Sequence, residues 1–177
     1  MGSDRADGVP TKDVYKVLNT PEGVDRAFKK VDTIKKDVVW WTSLSQPAQL
    51  LADGRVIIAA SGQSAIYDAN KNCGKHLETM WDAQLLALDF WVIPKGSPHL
   101  DAAYKFHAFF GSPQAQARLT HYVPLSPANN DALALVDPAM KPYLATSHMG
   151  NALAFDTAFW NEKGDELNQR FTAWLAK

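Results

Sequence analysis

One cysteine, Cys73, stands in 177 residues, which excludes an internal disulfide and leaves the redox compartment open. No apolar run approaches the ~18 residues of a membrane-spanning helix. The opening stretch, MGSDRADGVPTKD, lacks the apolar core of an export signal, so the chain as written is expected to stay in the cytoplasm. Charge of neither sign is in excess: 18 Lys and Arg face 19 Asp and Glu, a net charge of −1. That balance gives no sign of a surface for nucleic acid or an anionic membrane, and neither is expected as a partner. Catalytic signatures are missing as well. There is no G-x-S-x-G elbow, no H-E-x-x-H, no glycine-rich phosphate loop and no paired-cysteine zinc pattern. His76, His99, His107, His121 and His148 are scattered without ligand spacing, so no metal and no cofactor is expected.

What is present describes an ordinary globular chain, 46% apolar and 21% charged. Residues 1–13 read as a flexible tail and 14–177 as one α/β domain. Thr20-Pro21 is a cap followed by proline at the first helical position, and Val24, Ala27, Phe28, Val31 and Ile34 recur at helical spacing, predicting a helix over 21–36. Residues 38–42 read as a short strand. Ser45 reads as the cap of a helix to Ala52, and Val56 to Ala60 as a buried strand. A short helix opens near Ser64, and Asn70 to Lys75 reads as a polar loop. Leu77–Trp81 and Leu85–Ile93 read as strands. Leu100–Phe110 is predicted helical and stopped by Gly111, with Ala103, Phe106 and Phe110 on one face. Ser112-Pro113 starts another helix, running to about His121, and 129–136 is a short one among prolines. Asp156 caps a final helix with Leu167, Phe171, Trp174 and Leu175 on one face. Strands alternating with helices predict helices around a small, mostly parallel sheet.

Several blocks, in this order, carry a family likeness: PEGVDRAFKKVD, WWTS, QPAQLLADG, IYDA, DFWVIPKGSP, AAYKF, SPQAQA and FWNEKGDELNQRFTAWLAK. Together they resemble the second half of a bacterial extracellular solute-binding protein, the receptor that feeds an ABC importer, and within that group the spermidine/putrescine branch. The resemblance implies a truncated type II periplasmic-binding-protein-like fold. It implies that 14–85 and 127–177 are second-lobe-like and that 86–122 supplies a strand and helices to the other lobe. Location outside the cytoplasmic membrane is likewise implied, and a membrane permease would be a partner only of the full receptor. With the other lobe missing, Leu86, Leu88, Phe90, Val92, Ile93, Phe106, Phe109 and Phe110 would face water. Burying one such side chain is worth about 1.5–3 kcal/mol, so a homodimer is expected, with elements exchanged as one route.

The resemblance also points to ligand residues. Asp89 matches a family carboxylate suited to an ammonium group, and Ser43 and Ser45 match a cleft turn. Ser45 reads equally as a helix cap. Gln63, Tyr67 and Trp91 complete the candidate set for a polyamine-like solute. The chain departs from the polyamine pattern at Gly62, where a tryptophan is expected, at Ala65, and at Leu125, which implies an incomplete cage. Two alternatives stand beside this reading. One is a half-receptor scaffold without ligand. The other is a hydrolase assembled at a dimer cleft from His121, Asp89 and Ser43 or Ser126.

Overall fold

The structure, a computed structural model, describes residues 8–177. Chain contacts divide them into two compact units. The first takes residues up to 38 together with Asp82–Leu88 and Asn151–Lys177; the second takes Val39–Trp81 and Asp89–Gly150.

The first unit holds helices α1 (Val14–Leu18) and α2 (Pro21–Asp32), strands β1 (Leu85–Leu86) and β2 (Leu153–Ala154), and the long helix α8 (Thr157–Leu175). β1 and β2 run parallel, Leu85 opposite Leu153 and Leu86 opposite Ala154. Two bonds close the ladder, Leu153 N–H donating to Gln84 O and Phe155 N–H to Leu86 O, each at 2.8 Å. Val14, Leu18, Leu153 and Phe159 form the buried centre, with Tyr15, Ala27, Trp160 and Leu167 packed around it. The helix starts follow the capping rules. Thr20 Oγ1 accepts Gly23 N–H ahead of Pro21 at the first helical position, and Asp156 Oδ1 accepts Phe159 N–H at 3.0 Å. Asp156→Ala should therefore cost about 1 kcal/mol and lower the melting temperature by about 2–4 °C. An unchanged thermal midpoint would show that the cap contributes nothing.

The second unit holds α3 (Gln46–Ala52), α4 (Gln63–Cys73), α5 (Leu100–Phe110), α6 (Pro113–Leu119) and α7 (Asn130–Leu135). Its buried cluster is Ala117, Ala132, Val136, Met140 and Leu144, with the Tyr67 ring laid against it. Small residues on α6 and α7 let the two helices approach. Asn129 ties them: its Oδ1 accepts Asp131 N–H, its Nδ2 donates to Gly111 O, and its N–H donates to Gln116 Oε1. The buried Thr120 hydroxyl is satisfied by Ala117 O at 2.7 Å.

The α/β reading with a small parallel sheet holds, and the helices expected at 100–110, 113–121, 129–136 and after Asp156 form close to those limits. Other expectations need correction. Of the four predicted strands, only Leu85–Leu86 is paired; 38–42, 56–60 and 77–81 join no ladder among the described residues. Apolar β-prone residues specify a strand only when a neighbour supplies hydrogen bonds. The first long helix stops at Asp32 rather than 36, giving way to a 3₁₀ turn at Lys35–Asp37. Asn70–Cys73 is the end of α4 rather than a loop; the helix stops at Gly74, whose φ of 61° lies in the left-handed region that favours glycine. Ser45 makes no side-chain cap bond to α3. Strand β2 was not foreseen, because two residues carry no alternation to read.

Candidate functional site

All six candidate ligand residues lie in the second unit. Ser43 and Ser45 meet in the turn before α3, their hydroxyl oxygens 3.0 Å apart. Gln46, which sequence reasoning passed over, organises that turn: its Oε1 accepts the backbone N–H of Thr42 at 2.7 Å and of Ser43 at 3.0 Å. Both serines are exposed, and their hydroxyls hydrogen-bond to one another.

Gln63 and Tyr67 sit one turn apart on α4, on the same side of the helix. Gln63 Oε1 accepts from the Thr79 hydroxyl at 3.2 Å. The Tyr67 ring meets Tyr143 edge-on at 5.1 Å, and its hydroxyl donates to Met140 Sδ at 3.4 Å. Lys71 Nζ lies 5.3 Å from the same ring. Tyr67 is thus anchored in the core of its unit. Its partners Met140 and Tyr143 follow it by more than 70 positions, a separation that no local pattern signals.

Asp89 is exposed on an unpaired stretch and makes no hydrogen bond or ion pair among the described residues. Trp91, also exposed, packs edge-on against Phe106 at 5.3 Å and Phe110 at 5.0 Å. The structure therefore brings Ser43 to Ser45 and Gln63 near Tyr67. No hydrogen bond or ring contact among the described residues joins either pair to Asp89 or Trp91.

Within the single chain nothing supports the hydrolase grouping, which was expected at a cleft between two copies. The Ser126 hydroxyl accepts Thr146 N–H at 3.1 Å and lies 3.3 Å from Thr146 Oγ1. No described hydrogen bond links His121 to Ser126, Ser43 or Asp89. Among the described residues no group of three or more His, Cys, Asp or Glu side chains could hold a metal ion. No described helix is long and apolar enough to cross a membrane. A ring stack that sequence reasoning missed joins Trp81 and His148, 4.1 Å apart with nearly parallel planes, and His148 Nε2 lies 2.9 Å from Pro142 O.

The first unit has a groove of about 410 Å³ between α2 and α8, containing none of the candidates. Part of its charged rim is paired, and Lys29 and Lys177 line it as well. Arg170 bonds Asp25 Oδ1 at 2.6 Å and lies over the Phe28 ring, and Trp174 Nε1 donates to Asp32 Oδ1.

Comparison with known proteins decides the ancestry. The family model described as bacterial extracellular solute-binding protein matches residues 3–146. The chain belongs to this family. It is 40% identical over 174 residues to the gamma-aminobutyric acid-binding protein of Pseudomonas aeruginosa, covering 97% of this chain and 49% of that protein. A solved GABA receptor superposes with a TM-score of 0.81 at 34% identity, over 97% of this chain and 52% of the receptor. A binding protein of A. tumefaciens R10 in complex with agropinic acid gives 0.77 at 30% identity, over 97% and 53%. Another from A. tumefaciens B6, in complex with glucopine, gives 0.81 at 27%, over 98% and 55%. The chain thus spans about half the length of the solute-binding proteins it matches. The ligands these proteins are named for or bound to are gamma-aminobutyric acid, agropinic acid and glucopine, so the narrower likeness to the spermidine/putrescine branch gains no support among them.

Proposed function

We propose that this chain contributes to a periplasmic receptor capturing a small amino-carboxylate solute, of the γ-aminobutyrate or opine kind, for an ABC importer. The observation that carries the reading is 40% identity to a gamma-aminobutyric acid-binding protein along 97% of the chain. The candidate side chains suit a zwitterion better than a polyamine. A polyamine presents only ammonium groups and methylenes, and needs several carboxylates and aromatic walls. Asp89 is the one carboxylate in the candidate set, and Gly62, Ala65 and Leu125 stand where the polyamine pattern has larger or polar groups. An amino acid presents one ammonium for Asp89 and one carboxylate for hydroxyl donors such as Ser43 and Ser45. Gln63 adds an amide, while Tyr67 and Trp91 supply apolar wall for the connecting methylenes.

Thermal shift with γ-aminobutyrate, an opine, putrescine and spermidine tests this directly. Ligand at a hundred times its dissociation constant stabilises by about 2.7 kcal/mol, a rise of about 5–10 °C for a chain of this size. We expect the amino-carboxylates to give that rise and the polyamines none. Asp89→Ala should weaken binding about ten- to a hundredfold, the worth of one charge-assisted hydrogen bond. A shift with putrescine alone would restore the polyamine reading. No shift with any of the four at millimolar concentration would favour a scaffold that binds no solute.

A further inference from the structure

Two side chains of α4 hold the segment that follows the helix, and between them they fix how Gln63 is presented. Gly74 ends the helix in a left-handed conformation, and Lys75 N–H returns to Ala69 O at 3.1 Å, so the chain doubles back. Asn70 then clamps Leu77. Its Oδ1 accepts Leu77 N–H and its Nδ2 donates to Leu77 O, each at 2.8 Å. An amide that meets both backbone groups of one residue does what a neighbouring strand would do. Gln63 stands two turns before Asn70 on the same side of α4. The returning segment brings Thr79 to it, and the Thr79 hydroxyl donates to Gln63 Oε1 at 3.2 Å.

The consequence is chemical. An amide has an acceptor oxygen at one end and two donor hydrogens at the other. Free to turn over, it serves an ammonium or a carboxylate equally well. Thr79 occupies the oxygen, which leaves the Nε2 hydrogens of Gln63 with no partner among the described residues. The reversed amide would leave the half-buried Thr79 hydroxyl hydrogen without an acceptor, so the orientation is held.

We propose that Thr79 is a positioning residue for solute choice: it holds Gln63 as a donor toward the solute's carboxylate and so disfavours solutes that carry only ammonium groups. This rests on the amino-carboxylate reading above and adds to it the residue that sets the direction of the Gln63 amide.

Calorimetric titration of the whole chain with γ-aminobutyrate and with putrescine tests it. Thr79→Val keeps the shape and removes the hydroxyl. It should raise the γ-aminobutyrate dissociation constant about 3- to 10-fold, the worth of one neutral hydrogen bond, and leave putrescine binding no weaker. Thr79→Ser should restore the parent affinity to within about twofold, because the hydroxyl is back. Gln63→Glu presents only acceptors, so it should lower the preference for γ-aminobutyrate over putrescine at least ~10-fold. An unchanged affinity in Thr79→Val overturns the proposal. So does a loss that Thr79→Ser fails to restore, or an equal weakening of both solutes, which marks a purely structural effect. If circular dichroism shows Thr79→Val unfolded, Gln63→Glu decides, and an unmoved preference there overturns the proposal. A parent chain that binds no γ-aminobutyrate sinks this inference together with the solute reading, whereas parent binding that Thr79→Val leaves unmoved sinks this inference alone.

Discussion

Gly23→Ala is expected to destabilise the first unit by about 3 kcal/mol, the upper part of the range for a side chain forced into filled space. On an open helix the same change would stabilise by up to ~1 kcal/mol, because alanine is the better helix former. Here the added Cβ would lie 2.0 Å from Val17 O and 2.7 Å from Val17 C. That carbonyl cannot step aside cheaply, since it accepts both Thr20 N–H at 3.1 Å and the Thr20 hydroxyl at 2.8 Å. Thr20 in turn caps α2 through Gly23 N–H, so relieving the clash opens the α1–α2 turn and the cap together. The steric term wins. Urea unfolding should show the loss, and exchange in the 14–32 peptides should quicken first. A variant as stable as the parent would mean that the two helices are not as closely opposed as they stand here.

Leu144→Ala should cost about 2–5 kcal/mol, the range for deleting a buried leucine. Leu144 is 1% exposed and fills the space left by small or short neighbours, Ala117, Ala132 and Val136. None of these can grow into the cavity. Only Met140 has the flexibility to fill part of it, at the expense of its contact with the Tyr67 hydroxyl. Loss should therefore spread from the Leu144 segment to α6 and α7, read as faster exchange over 113–136, and to α4 through Tyr67. A cost below 1 kcal/mol would show that the cluster collapses onto the vacancy.

The candidate site was legible only in pieces. Ser43 and Ser45, named from the resemblance, come together because they are neighbours in sequence and a turn joins neighbours. Gln46 was missed although it lies just beyond them, because its role is to satisfy backbone donors that residue type does not reveal. Tyr67 was named as a ligand residue, and the structure shows it tied to Met140 and Tyr143 as well. No periodicity on α4 carries that information.

By itself the sequence determined the helices whose ends are written in local chemistry. Thr20-Pro21, Ser112-Pro113, Asn129 and Asp156 each satisfy an unpaired helix N–H within three residues, and Gly74 and Gly111 stand just past helix ends. Those interactions are short in sequence, so they survive whatever the rest of the chain does. The strands were decided by tertiary structure alone. Leu85–Leu86 pairs because Leu153–Ala154 arrives beside it from 68 positions away, whereas Val-Ile-Ile at 56–58 reads as a better strand and has no partner strand among the described residues, leaving Ile57 94% exposed. A helix closes its hydrogen bonds within itself, and a strand borrows them from a neighbour that its own residues do not name.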